Sequence, residues 1–176
     1  MSGVPLVGFE PAIAADAEAL VAIRIAAMRE SLERLSRFDP LRARDRFLAG
    51  FDAELTRFVV VDGARVGFVV ARPRDAGLLL DHLYIVPSAQ GRGIGAAVLA
   101  DLLADADARG LRVRVGALRE SASNRFYERH GFTLVERGEW DNLYERPARL
   151  LTGTANCSSS TTRAPSFGGF GGACGP

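Results

Sequence analysis

The stretch Gln90-Gly91-Arg92-Gly93-Ile94-Gly95-Ala96 decides how the rest of this chain is read. Its glycines follow a strand-like apolar run, Leu78 to Val86, that Pro87 stops. They precede a helical pattern that puts Ile94, Val98, Leu99, Leu102 and Leu103 on one side. Glycine lets backbone N–H groups close on an anion, and a helix N-terminus adds a favourable dipole. Strand, glycine loop and helix in that order predict a pyrophosphate site rather than a merely flexible connection.

Working outward, Phe58-Val59-Val60-Val61 and Val66-Gly67-Phe68-Val69-Val70 flank Asp62-Gly63 and spell a β-hairpin. Val4 to Phe9 predicts a first strand. Asp16 is the expected N-cap of a helix through Ala19, Leu20, Ile23, Ala27 and Met28, and a second amphipathic helix follows Pro40. The Leu78–Val86 run is apolar on both faces apart from Asp81 and His82, which predicts a central strand. Downstream, Gly110 closes the long helix as its C′ residue. Leu111 to Ala117 then predicts a strand, Ser123 the cap of a short helix through His130, and Phe132–Glu136 with Trp140–Tyr144 a last strand pair.

Composition bounds the function. The chain has 176 residues with 22 basic and 21 acidic side chains, a net charge of +1. That balance gives no general attraction for nucleic acid or an anionic membrane. Every basic residue is arginine, which excludes Schiff-base and lysine-base chemistry. Residues 1–147 are expected to form one domain. Residues 148–176 are rich in Ser, Thr, Gly, Ala and Pro and are expected to be a disordered tail. The two cysteines, Cys157 and Cys174, fall in that tail, where they make neither a disulfide framework nor a zinc site and read as incidental thiols. No metal is expected. With no signal-peptide pattern and no apolar run near the ~20 residues that span a bilayer, the expectation is a soluble, cytoplasmic protein.

Two cofactor classes compete for the glycine loop. Gly91-x-Gly93-x-x-Ala96 meets the loose dinucleotide fingerprint, but four residues separate the strand from the first glycine. The next strand also ends Val115-Gly116-Ala117 without the acid that a dinucleotide ribose needs. The other pattern, Q-x-x-G-x-G/A, is met by Gln90, Gly93 and Gly95. Leu83-Tyr84-Ile85-Val86-Pro87 leads into it, and Asn124-Arg125-Phe126-Tyr127-Glu128-Arg129-His130-Gly131-Phe132 follows downstream. In these segments, about residues 78 to 135, the sequence resembles the GNAT N-acetyltransferase superfamily, with Asn124 and Tyr127 spaced by three rather than four.

The resemblance implies a mixed α/β (α+β) fold, with a twisted, mainly antiparallel sheet, splayed central strands and flanking helices. It implies transfer of an acetyl group from acetyl-CoA to a primary amine of a small molecule or peptide. The cofactor-binding residues it implies are Gln90, Gly91, Arg92, Gly93, Ile94, Gly95 and Ala96 for the pyrophosphate, and Ile85 and Val86 for the pantetheine arm, with Asn124 orienting arm or helix. Tyr127 is the implied proton donor to the leaving sulfur, or else a core-edge tyrosine. His82, on a strand face shared with Leu80, Tyr84 and Val86, is the candidate base, or else a structural histidine. Asp81 faces the opposite side in this reading. Members often carry a glutamate where Leu80 stands, and this chain departs from them there. His130 reads as a partner of a helix C-terminus. The acceptor side would be built from Met28–Ser31, Arg37–Asp39 and Glu139–Asp141, and dimerisation is common in the superfamily. The alternatives are a non-catalytic acyl-CoA-binding or regulatory module and, more remotely, a nucleotide-dependent oxidoreductase.

Overall fold

Asp62 and Gly63 both adopt positive φ (52° and 77°), the backbone that a tight hairpin between right-twisted strands requires. In the computed structural model, which describes residues 6–34, 39–75 and 77–149, this turn joins β2 (Thr56–Val61) to β3 (Ala64–Arg74). β3 pairs antiparallel with β4 (Gly77–Ile85), and β1 (Gly8–Pro11) pairs antiparallel with β2. The sheet continues through β5 (Arg112–Leu118), β6 (Thr133–Arg137) and β7 (Asp141–Arg146) in the order β1-β2-β3-β4-β5-β7-β6. Among the described residues only the β4–β5 pair is parallel. The expected mixed α/β architecture with a mainly antiparallel sheet is the one observed.

Two cores sandwich the sheet. On one face α1 (Ala17–Arg34) and α2 (Pro40–Ala49) bury Leu20, Val21 and Phe47 against Phe58, Phe68 and Val70. On the other, α3 (Ile94–Ala108) buries Ile94, Val98, Leu99, Leu102 and Leu103 against Leu78, Leu80, Val113 and Val115. The short α4 (Ser123–Arg129) adds Tyr127 to that second core. The α3 residues are those its apolar spacing marks in the sequence, and Gly110 takes the left-handed conformation (φ 66°) just past the helix end.

Several expectations need correction. The first strand is Gly8–Pro11 rather than Val4–Phe9, and Val4 and Pro5 lie outside the described residues. Asp16 does not cap α1 directly. It ends a 3-10 turn, Ala14–Asp16, and its Oδ2 accepts from the Ile13 amide (2.9 Å), a reciprocal cap three residues back. Ser123 is the first residue of α4, whose N-cap is Ala122, because Asn124 and Ser121 already hold that turn. The expected tail falls outside the described residues from 150 onward, with Cys157 and Cys174 in it. Among the described residues no helix is long and apolar enough to cross a membrane.

Candidate active site

β4 and β5 pair only from Gly77↔Arg112 to Leu80↔Val115, and beyond that register the two strands part. β4 nevertheless continues to Ile85 against β3. The Val86 amide donates to Val66 O (2.8 Å), so by alternation the backbone groups of Leu83 and Ile85 point away from β3 into the opening. Val86, expected to offer free groups there, has its N–H committed to β3. Leu83 takes its place on the open edge. The parting of the central strands agrees with the sequence expectation.

The glycine loop lies at the head of this opening. Gly91 and Gly93 hold φ at 73° and 78°, and a Cβ on either would meet nothing within 4 Å. Glycine is therefore required by the backbone, and the space beside it is open. Gly93 is the N-cap of α3 and no side chain caps that helix. Among the described residues, no amide from Gly91 through Ala96 donates to a protein acceptor, whereas the Gln90 amide bonds Pro87 O (3.2 Å). Gln90 acts through its side chain instead, Nε2 donating to Ile85 O (2.8 Å) and tying the loop to the end of β4. The result is a row of unengaged N–H groups on a positive helix end, a donor set of the kind that suits an anion.

Tyr127 projects from α4, with its ring edge-on to Phe132 (5.6 Å between centroids) and Phe126 (5.3 Å). Burial raises its phenol pKa, and the Tyr84 hydroxyl nearby pushes the same way. Tyr127 is thus a protonated phenol at neutral pH. Asn124, one turn earlier, is fully engaged by protein. Its Nδ2 donates to Leu118 O and Ser121 O (both 2.9 Å), and its Oδ1 accepts from Asn142 Nδ2 (2.8 Å) and Tyr144 Oη (3.0 Å). It fastens α4 to β5 and β7. His130 Nδ1 lies 2.7 Å from Phe126 O and its ring rests on Phe126 (4.5 Å), at the end of α4 as expected.

His82 sits among Phe47 (5.4 Å), Phe68 (6.1 Å) and Tyr84 (5.6 Å). Burial holds its pKa down to about 4. Asp81 pulls it upward, while the charges of Arg24 and Arg72 reinforce the depression. Its shared face with Leu80 is overturned by a β-bulge. His82 opposes Val70 and Leu80 opposes Ala71, so Asp81 is the extra residue and the side-chain alternation skips at that point. Leu80 therefore packs in the α3 core, whereas His82 and Tyr84 lie on the α1/α2 side. Asp81 does not face away from His82 either. Its Oδ2 accepts from Arg72 Nε (2.7 Å) and lies 3.8 Å from His82 Nε2. The strand-like residues on either side, Leu78–Leu80 and Leu83–Ile85, do not reveal the bulge between them.

Other acceptor-side residues have partners of their own. Glu30 pairs with Arg34 (2.8 Å), Arg29 with Glu33 (3.6 Å), and Asp39 caps α2 by accepting from the Arg42 amide (3.0 Å). Arg37 and Phe38 lie outside the described residues. A cavity of about 70 Å³ lined by Ser31, Arg34 and Leu118–Ser121 opens between the end of α1 and the end of β5, where the strands have parted. A second of about 250 Å³, lined by Arg74, Leu79, Arg112 and Arg114 among others, lies where β4 and β5 are still paired, away from the loop. Arg24 on α1 and the free edge at Leu83 are the residues the sequence reading missed. Only the three-dimensional meeting of α1 with β4 marks them.

Residues 54–134 match the family described as an acetyltransferase (GNAT) domain. No curated protein sequence is significantly similar to the chain. Among solved structures, it is similar to the PaiA N-acetyltransferase of Thermoplasma acidophilum in complex with coenzyme A (TM-score 0.67, 15% identity, 81% of this chain and 99% of that one). An acetyltransferase of Thermus thermophilus gives a TM-score of 0.66 at 19% identity over 82% and 98%. The ribosomal-protein-S18-alanine N-acetyltransferase of Escherichia coli gives 0.64 at 16% over 86% and 100%. At these identities the likeness is one of fold.

Proposed function

We propose, from the premise that residues 54–134 of this chain form a GNAT acetyltransferase domain, that the protein transfers an acetyl group from acetyl-CoA to a primary amine of a small molecule or peptide. The observation that carries this reading is the row of unengaged amides from Gly91 to Ala96 at the head of α3, beside the unpaired edge of β4. The donor set fits the group. N–H groups on a helix end suit a diphosphate, and the N–H and C=O of Leu83 with the N–H of Ile85, whose carbonyl already accepts from Gln90, suit a peptide-like pantetheine arm lying as an added strand. The coenzyme A in the Thermoplasma structure supports the same donor. Acetyl-CoA, when bound, supplies the acetyl group as an activated thioester.

A balanced transfer forms one N–C bond and breaks one C–S bond, so a proton must leave the amine nitrogen and one must reach the departing sulfur. Tyr127 holds a proton for the sulfur. Because its pKa lies above the roughly 8.5 of an ordinary thiol, it steadies the sulfur charge by hydrogen bonding before any full transfer. His82, uncharged above about pH 4, has a ring lone pair to accept the amine proton, directly or through water, as the N–C bond forms. Asn124 serves by fixing α4, and Tyr127 with it. The domain boundary near residue 147, the cytoplasmic location and homodimerisation belong to the same proposal.

Titration calorimetry with acetyl-CoA tests the premise, and folded protein showing no saturable binding rejects it. A panel of amines with CoA release as the readout then tests transfer. Leu80, buried where the resemblance leads one to expect a glutamate, favours one second reading, a non-catalytic acyl-CoA-binding module. Saturable binding with no thiol released by any amine would select it.

A further inference from the structure

Arg24 is a half-buried cation that no carboxylate among the described residues balances. Its Nη1 donates to Ala43 O of α2 (2.9 Å), its Cζ lies 5.9 Å from the centre of the Tyr84 ring, and its Nε is buried without a hydrogen-bond partner. Every one of the 21 Asp and Glu residues lies among the described residues, yet none forms an ion pair with it. Asp81, the acid beside His82, is paired with Arg72. By contrast Arg44, Arg65, Arg114 and Arg146 each meet a carboxylate. A cation drawn out of water without a counter-charge is costly, and an anionic ligand would offset that cost.

A second orphan lies beside the same tyrosine. His82 Nδ1 is buried with no partner, and its ring is 5.6 Å from that of Tyr84. Two unsatisfied nitrogens thus belong to side chains beside Tyr84 on the α1/α2 side of β4, where the strand runs past its last pairing with β5. On α1, Ser31 falls two turns beyond Arg24 on the same helical face, about 10 Å along the axis. Ser31 lines the 70 Å³ cavity at the parted strand ends. One face of α1 therefore leads from the opening to the unpaired guanidinium.

We propose that the acceptor is an amine that also carries a carboxylate, of the amino-acid type, and that Arg24 binds the carboxylate. The amine end of this assignment rests on the acetyl-transfer reading above. A guanidinium matches a carboxylate in a two-pronged hydrogen bond, whereas a plain cationic amine would be repelled by it. A ligand with both charges satisfies Arg24 at one end and presents nitrogen at the other.

The test compares amino acids with their own carboxamides, by calorimetry on the full chain with CoA present and by CoA release with acetyl-CoA. The acids are expected to bind about 10- to 100-fold more tightly than the carboxamides. Arg24→Met should erase that ratio by weakening the acid alone, raising its KM with kcat little changed and acetyl-CoA affinity intact. Arg24→Lys should restore part of it. Because Arg24 also ties α1 to α2, the wild-type acid-to-carboxamide ratio decides the matter even where a variant folds poorly. Equal binding of the two series, or binding of neither, overturns the inference. Acids bound through Arg24 without CoA release would uphold the carboxylate contact while rejecting acetyl transfer. CoA release that ignores the carboxylate would do the reverse.

Discussion

Burial inside the ring of Phe47, Phe68 and Tyr84 leaves His82 uncharged at neutral pH, and this has a stability consequence as well as a chemical one. An unfolded histidine takes its proton near pH 6.5, while the folded one resists until about pH 4. The folded pKa is the lower one, so the stabilisation is fully present above 6.5 and is lost as the pH falls toward 4. Between pH 7 and 5 the native state should lose about 2 kcal/mol from this group. Urea unfolding at the two pH values should show that loss in the wild type and little of it in His82→Phe, which refills the aromatic site without titrating. Equal losses in both proteins would place the sensitivity elsewhere. Tyr127 makes the companion case for chemistry. Tyr127→Phe keeps the packing against Phe126 and Phe132 but removes the hydroxyl, so kcat at saturating acetyl-CoA should fall about 100-fold with acetyl-CoA affinity nearly unchanged. A drop in affinity alone would assign the hydroxyl to binding.

At the scale of elements, the glycine loop and α3 form the unit most exposed to a single substitution. Gly93→Ala places a Cβ in open space but at φ 78°, which an alanine holds only at a cost of about 1–2 kcal/mol. The loop would relax away from that geometry, and acetyl-CoA affinity measured by calorimetry should fall at least about 10-fold while the melting temperature changes little. An unchanged affinity would mean that these amides do not meet the phosphates. This unit was also the most legible in the sequence, because glycine spacing, the stop at Pro87 and the apolar period of α3 are all local signals. The hairpin at Asp62-Gly63 was legible for the same reason. The faces of β4 were not. Leu79, Leu80, Leu83 and Ile85 all suit a strand, so nothing local announces that Asp81 bulges and sends Leu80 and His82 to opposite cores. The Asn124 network and the orphaned Arg24 depend on partners 18–20 residues away along the chain, a relation that no periodicity encodes.

For the whole molecule, closure depends on joining the last strand to the end of the long helix. Arg146 of β7 is 4% exposed, and its Nη1 and Nη2 donate to Asp107 Oδ1 and Oδ2 at the end of α3 (both 2.8 Å). The Arg149 amide adds a third bond to Oδ1 (2.7 Å). These contacts lower the Asp107 pKa, the Arg146 hydrogen bond being the largest cause, so the carboxylate remains charged well into mild acid. The pair is set far from the glycine loop and the parted strand ends, on the opposite end of α3. Its loss should therefore weaken folding without altering the site's chemistry. Asp107→Asn keeps the shape but leaves the Arg146 guanidinium buried beside a neutral amide, a change that costs about 3–5 kcal/mol when a buried pair is broken. Denaturant unfolding should register that loss at neutral pH, with acetyl-CoA affinity retained in whatever fraction stays folded. A variant as stable as the wild type would show that solvent reaches Arg146 freely, and that β7 is held by its strand pairing alone.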